Sequence, residues 1–338
     1  MLKKVTLDEV ARAAGVSRAT VSLVVRSSPL VADQTRRKVQ QVLEDMDYVR
    51  DIGAARLRNN SSRTVGIIVP NLVNSFFTEF LSGVEQVMCE DDRVVLLANS
   101  HDNTERQNGI LQRFRGHGVD GVILCPAEGT NPALLARMRQ WRMPVVQSLR
   151  EVGDRVTDYA GADYIEGVGL AVRHLIDMGH RRIAFLSVKA RTSAREERLA
   201  GFFKVLKETN AESAGIVEAD LTWEGAAQSA RDLLDLSDPP SAVLCFNDVL
   251  AAGLMLGLRR MNCEPGRDMA VVGLDDLAFS QLTYPPLTSV AMQPEKIGNA
   301  AARLLTRRLR EAYAAPERSV LPPRLVIRAS SQRQSLHF

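Results

Sequence analysis

The residue pattern predicts an α/β chain in three parts. These are a helix-turn-helix head (residues 1–48), a linker (49–63) and a core (64–338) of two doubly wound parallel sheets. Three observations predict it. Two capped helical stretches separated by a glycine open the chain. From Thr64 onward, short apolar runs alternate with amphipathic helical stretches, the rhythm of βαβ units on a parallel sheet. That rhythm restarts after residue 160, so two sheets are expected.

In the head, Thr6 stands three residues before Glu9, the spacing of a reciprocal helix cap. Leu7, Val10, Ala11 and Ala14 then recur at helical spacing, and Gly15 ends the helix where a turn needs positive φ. Ser17 can cap a second helix with Val21, Val24 and Val25 on its apolar face. A third helix is expected over Asp33–Asp47, turning Val39, Val42, Leu43 and Met46 inward. The second helix of such a unit lies in the DNA major groove and meets base edges with its first residues. Here those are Ser17, Arg18, Ala19 and Thr20, with Ser22 and Leu23 one turn on. Arg18 offers a fork for guanine O6 and N7. The hydroxyls of Ser17, Thr20 and Ser22 suit phosphates.

In the core, Val65–Val69, Val94–Ala98, Gly121–Cys125 and Pro144–Gln147 read as buried strands of one sheet. Phe76–Cys89, Thr104–Gly116 and Pro132–Trp141 are the helices between them. Arg182–Leu186, Ala242–Phe246 and Met269–Leu274 begin a second sheet, with helices over Glu166–Met178, Arg195–Thr209, Glu224–Leu236 and Val249–Met261. Ligands of such sheets bind beyond the carboxyl ends of the strands. Two such edges facing each other would make a cleft.

Composition is consistent with this division. At 338 residues the chain suits two or three domains. With 45% hydrophobic and 25% charged residues it is neither disordered, collagen-like nor a disulfide scaffold. No apolar run approaches the roughly 18 residues of a membrane span. Met1-Leu2-Lys3-Lys4 is followed by polar residues, so no secretory signal is expected and the chain reads as cytoplasmic. Cys89, Cys125, Cys245 and Cys263 are scattered and read as buried reduced thiols. The net charge of +3 hides an asymmetry. Residues 1–63 hold 12 basic and 7 acidic side chains, and the rest of the chain holds 31 and 33. The basic head fits a polyanion-binding module, although a solvated surface would show the same excess.

The stretch from Thr6 to Arg26, with Val-Ser-x-x-Thr-Val-Ser at Val16–Ser22, closely resembles the head of the LacI (lactose-repressor) family. So does the run Thr35-Arg36-x-Lys38-Val39 leading to Tyr48. The resemblance implies that Thr6, Leu7 and Thr35 join the DNA contacts. It also implies that the linker forms a hinge helix on palindromic double-stranded operator DNA. Leu57 matches the family's minor-groove wedge, and Arg56 and Arg58 flank it. The family's usual Pro and Asn after Tyr48 are replaced by Arg50 and Asp51, and Gly53 is added, which weakens the expected hinge helix.

The resemblance continues through Val65–Asn71, Val119–Leu124, Gly179–Phe185, Arg198–Phe202, Phe246–Asp248, Val272–Asp276 and Pro286–Ser289. It implies a core folded like the periplasmic sugar-binding proteins. The first subdomain would span about 64–160 and 292–320. The second would span about 161–291 and 321–330, with a final strand at Leu325–Arg328. Matching positions imply an effector pocket: Arg198, Asn247 and Asp275 on one wall, and Asn71, Asn74, Phe76 and Phe77 on the other. A donor fork, an acceptor and an amide suit a sugar's vicinal hydroxyls. Arg150 is expected to reach in and to favour a sugar acid or phosphorylated sugar. Met292 stands where Gln is frequent, and Leu221 where an aromatic is frequent, with Trp223 placed to substitute. The resemblance further implies a homodimer, because the tail after Arg328 is too short and polar for a tetramerising helix.

No nucleotide-loop, zincin or nucleophile-elbow motif occurs, and the five histidines show no metal spacing, so neither an enzyme nor a cofactor is expected. Gly167 and Gly169 fall inside a helical pattern, not at a strand-to-helix turn. Asp275 and Asp276, adjacent on a strand, point to opposite faces and cannot share a substrate. The reading is therefore a DNA-binding regulator, taken as a repressor, switched by a small effector. An activator or corepressor-dependent regulator of the same architecture is the alternative, with a solute-binding protein behind it.

Overall fold

The computed structural model describes residues 5–26, 28–48, 61–153 and 155–332, which form two compact units divided between Ser62 and Arg63. The expected hinge, with Leu57 and Arg58, lies outside the described residues.

The first unit holds α1 (Leu7–Ala14), α2 (Arg18–Val25) and α3 (Asp33–Asp45). The Thr6 hydroxyl accepts from the Glu9 amide at 3.3 Å, and the Glu9 carboxylate accepts from the Thr6 amide at 2.8 Å. Gly15 sits at φ 64°, as the turn between α1 and α2 requires. Ser17 caps α2 by accepting from the Thr20 amide at 3.1 Å. Val10, Ala14, Val21, Val24 and Val39 form the buried centre. The third helix ends two residues before the expected Asp47, which takes φ 48°.

The second unit carries two six-stranded sheets. In chain order its elements begin with β1 (Thr64–Val69), α4 (Ser75–Glu90), β2 (Val94–Asn99), α5 (Thr104–His117), β3 (Gly121–Leu124), α6 (Ala133–Gln140), β4 (Val145–Ser148) and β5 (Asp158–Ala162). They continue with α7 (Tyr164–Asp177), β6 (Arg182–Val188), α8 (Ser193–Thr209), β7 (Glu212–Ala219), α9 (Trp223–Leu234), β8 (Ala242–Cys245), α10 (Asp248–Arg260), β9 (Ala270–Asp275) and β10 (Thr288–Ala291). The chain then adds α11 (Pro294–Arg310), β11 (Arg318–Leu321) and β12 (Arg324–Val326). The first sheet is ordered β11-β5-β4-β3-β1-β2 and is parallel throughout. The second is ordered β12-β10-β9-β8-β6-β7, with only β12 antiparallel. The last strand is thus Arg324–Val326, not Leu325–Arg328. Its pairing with β10 ends where the Arg328 amide turns to the Thr288 hydroxyl.

The chain passes between the sheets three times, and the passages bond to one another. The Asp163 amide donates to Leu321 O at 3.1 Å, and Gln293 Nε2 donates to Pro322 O at 2.9 Å. A returning helix, α11, packs on α4. A Cβ on Gly83 would stand 1.9 Å from Glu295 O, so only glycine allows that approach. Beneath it, the fully buried Asp158 carboxylate takes Arg308 Nε at 2.6 Å and Nη2 at 2.9 Å, with the Glu317 amide at 2.8 Å. Cys125 and Cys245 are buried, but Cys89 is exposed because it lies on the solvent side of the last turn of α4, so the expectation of four buried thiols is corrected.

Candidate functional site

In the head, Arg18, Ala19 and Ser17 are exposed at the start of α2, and Thr20 is half-buried. Arg18 Nε stands 3.7 Å from Asp8 with both side chains largely in solvent, so the guanidinium is free to swing to another acceptor. The Ser22 hydroxyl accepts from Arg26 at 3.1 Å. Leu23 is half-buried against the head's core, and Leu7 and Thr35 are likewise half-buried.

In the second unit, the carboxyl ends of both sheets border one cavity of about 350 Å³. Sheet topology positions its walls. Asn71 follows β1, Asn99 ends β2, Cys125 follows β3 and Leu149 follows β4; Phe246 and Asn247 follow β8, and Asp275 ends β9. Seven of the expected residues besides Arg150 line it: Asn71, Asn74, Phe76, Phe77, Arg198, Asn247 and Asp275. Three asparagines spend their side-chain oxygen locally. Asn71 accepts from Val73, Asn74 from Phe76 and Asn247 from Leu250, the last two as helix caps. Their amide N–H groups remain as donors. Phe76 and Phe77 meet edge to face at 5.7 Å.

Arg198 is 4% exposed and lies between two rings, 3.9 Å from the Tyr164 centroid and 4.2 Å from that of Phe246. Such desolvated cation–π contacts are worth roughly 2 kcal/mol each. Nη1 donates to Ala194 O at 2.9 Å, and Nε is buried without a hydrogen-bond partner. No ion pair joins Arg198 to Asp275. Asp275 adopts φ 114°, a strained conformation of the kind that collects at ligand sites. Burial, reinforced by neighbouring Asp248, holds its carboxyl well above the usual range against the pull of Arg198. Burial likewise pushes the Tyr164 hydroxyl up to about 12. Asp276 faces elsewhere and pairs with Arg328 at 2.7 Å.

Two expectations are corrected. Arg150 lines the cavity, but Asp102 meets its Nη1 at 2.6 Å, so it brings no unneutralised charge. Trp223 stays outside. It is 45% exposed and packs on Phe279 at 5.3 Å, leaving Leu221 on the wall. Met292 is also absent from the wall, buried against Gly167. Sequence reasoning missed Tyr164, Phe246 and the Asn99–Asp102 turn. The last two follow strand ends, which is the signal that could have found them.

Two hydrogen bonds span the cleft beside the cavity. The Arg191 amide donates to Glu128 Oε1 at 2.6 Å, and the Glu151 amide donates to Ser193 Oγ at 2.9 Å.

A helix-turn-helix head ahead of a core with a cleft between two parallel sheets defines a ligand-responsive DNA-binding regulator. Comparison with known proteins specifies it further. Residues 6–51 match the profile of bacterial regulatory proteins of the lacI family, and residues 172–331 match a periplasmic binding protein-like domain. The HTH-type transcriptional repressor PurR of Vibrio vulnificus (strain CMCP6) is 30% identical over 331 residues, covering 96% of this chain and 97% of the relative. The structure of the transcriptional regulator CelR–cellobiose complex superposes with a TM-score of 0.72 at 30% identity, covering 97% of this chain and all of that one. A lac repressor dimer bound to operator and the anti-inducer ONPF shares the fold, with a TM-score of 0.89 at 24% identity over 98% of this chain and 100% of the other. The chain belongs to the LacI family.

Proposed function

We propose that this protein represses transcription as a homodimer on a palindromic operator, and that a neutral, polyhydroxylated effector such as a sugar sets its operator affinity from the cleft. The convergence of Arg198, Asn247 and Asp275 on one wall with Asn71, Asn74 and Phe76 on the other carries the reading. The wall offers amide and guanidinium donors and the Asp275 carboxyl around an aromatic face, the complement of a ring bearing vicinal hydroxyls. The Arg150–Asp102 pair removes the charge that would select an acidic sugar. Ser17, Arg18, Ala19, Thr20, Ser22 and Leu23 read the major groove, and Thr6, Leu7 and Thr35 support them. Leu57 and Arg58 engage the minor groove. The effector closes the cleft by binding the closed state more tightly, which is the only way a ligand shifts an equilibrium, and the paired hinges leave register.

Operator binding by fluorescence anisotropy, with sugars identified in a thermal-shift screen, tests this. Asp275→Ala is expected to keep operator affinity in the absence of effector and to lose the effector response. A variant that still releases DNA at wild-type effector concentrations would refute the pocket assignment. Tighter operator binding with effector would reverse the sign of the switch.

A further inference from the structure

Away from the cleft, α5 and α6 of the first sheet's outer layer enclose a second cavity of about 260 Å³. Thr104 and Asn108 come from α5, Thr130 and Asn131 from the loop before α6, and Arg137 from α6 itself. The two helices and Arg142 after them carry six arginines (106, 113, 115, 137, 139 and 142) against one acid, Glu105. All six are exposed, and none has a carboxylate within 4.0 Å among the described residues. Elsewhere in the unit some arginines are matched by acids, as Arg93, Arg150, Arg195 and Arg308 are, but the α5–α6 layer concentrates six unmatched ones on, or just after, two adjacent helices.

Three of these cations are held in place, Arg106 by donating from Nε to Asn99 O at 3.0 Å. The guanidinium carbons of Arg115 and Arg137 lie 5.1 and 5.2 Å from the centroid of the Trp141 ring. Arg137 Nη2 also donates to Asn108 Oδ1 at 3.0 Å. Stacking on an aromatic and bonding to an amide orient a guanidinium without neutralising it, and its other N–H groups stay open. Of the two arginines on Trp141, Arg137 lines the groove, whereas Arg115 is not among the groove's lining residues and adds positive charge along the same helix pair. Neighbouring Thr104 and Asn108 add hydroxyl and amide donors. Glu105, the one acid of the two helices, is not among the groove's lining residues. The volume lies below the roughly 300–1,000 Å³ of drug-sized ligand pockets, so the fit is to a compact head group and not to a whole sugar.

We propose that the α5–α6 groove is a second ligand site, for a small polyvalent anion bearing phosphate. The wall of the site is coupled to the cleft by bonded neighbours. Gln107 accepts from the Ala127 amide at 2.8 Å and donates to Thr130 Oγ1 at 3.0 Å. The same loop carries Glu128, whose amide donates to Asp102 at 2.9 Å and whose carboxylate reaches Arg191 across the cleft. An anion seated against Thr130 and Asn131 therefore touches the segment that bridges the two sheets.

The site is independent of the cleft reading, and its test reads binding alone. Trp141 and Trp223 are the two tryptophans of the chain. In full-length Trp223→Phe, the emission of Trp141 is titrated with inorganic pyrophosphate at constant ionic strength set with sodium chloride, and isothermal calorimetry gives the stoichiometry. The expected result is saturable binding of one anion per chain, weakened at least tenfold by Arg137→Ala and by less than that by Arg115→Ala, which lies outside the groove lining, with thermal melting unchanged in both. Citrate is titrated in parallel, and weaker binding of citrate supports the phosphate assignment. Citrate binding without pyrophosphate binding overturns that assignment. An absence of saturation, or wild-type affinity in Arg137→Ala, overturns the site itself.

Discussion

Replacing Asp248 by Asn should remove a pH dependence of stability that originates in one buried carboxyl. Asp248 opens α10 beside Asn247 and is fully buried. It accepts from the Leu277 amide at 2.9 Å and from the hydroxyls of Ser280 and Ser289, each at 2.5 Å. Burial outweighs these bonds and pushes its pKa from 3.8 up to about 7. A carboxyl raised in the folded state contributes stability that is complete below its unfolded value and is lost as pH rises through the folded one. The loss runs at about 1.4 kcal/mol per pH unit between the two values. From pH 5 to pH 8 it spans about two units, or about 3 kcal/mol on the order-of-magnitude scale appropriate to a buried group. Asn keeps the shape and still accepts, but does not titrate. Groups that Asp248 does not influence titrate alike in both proteins and cancel in the difference, whereas Asp275, raised in part by Asp248, is raised less in the variant and so adds to the wild-type loss. Urea unfolding of the core transition at pH 5, 6, 7 and 8 measures it. Wild type should lose about 3 kcal/mol relative to Asp248→Asn across this range, with no further loss above pH 8. A wild-type–variant difference that stays constant with pH would refute the reasoning.

Gly83→Ala places a methyl against the Glu295 carbonyl and should cost about 1–3 kcal/mol by overpacking, lowering Tm by roughly 2–12 °C in calorimetry. Arg308→Ala strips the bidentate partner from buried Asp158 and should cost about 3–5 kcal/mol in urea unfolding, and a loss below 1 kcal/mol would show that Arg307 alone suffices. Arg18→Ala should weaken operator binding by about 1–3 kcal/mol and relax preference at one base pair. Equal weakening on all sequences, read by anisotropy over operator variants, would make Arg18 a phosphate contact.

Most of the fold was legible because its elements carry strong local signals. The Thr6–Glu9 cap, the Gly15 turn and the apolar runs at β1, β3, β6, β8 and β9 each combine propensity with periodicity. The elements not ranged in advance lack that combination. The short strand β5 begins with Asp158, and its sequence Asp-Tyr-Ala-Gly-Ala offers small side chains in place of an apolar run. An edge position leaves β7 only partly buried, so its alternating polar residues hide it. The returning helix α11 carried a readable stripe at Ile297, Ala301, Leu304 and Leu305, but which sheet it covers is decided by long-range packing. The cleft follows the same rule. The wall residues named in advance came from the family resemblance, whereas the cage around Arg198 depends on Tyr164 and Phe246, rings from two distant elements, meeting in space. Trp223 failed as a substitute because one turn of α9 directs it to Phe279 and not to the cavity.

The two hydrogen bonds that cross the cleft, from Arg191 to Glu128 and from Glu151 to Ser193, have a consequence for sensitivity. Each is worth about 1 kcal/mol net. Where opening of the cleft breaks both, together they multiply the ratio of bonded to opened molecules by about thirtyfold. Apparent affinity equals intrinsic affinity scaled by the fraction of molecules competent to bind. Residues that never meet the effector therefore act as a gain control. Altering them moves the concentration at which the regulator responds and leaves untouched the contacts that decide which molecule it responds to. Threshold and selectivity are in this way assigned to different side chains of the same cleft.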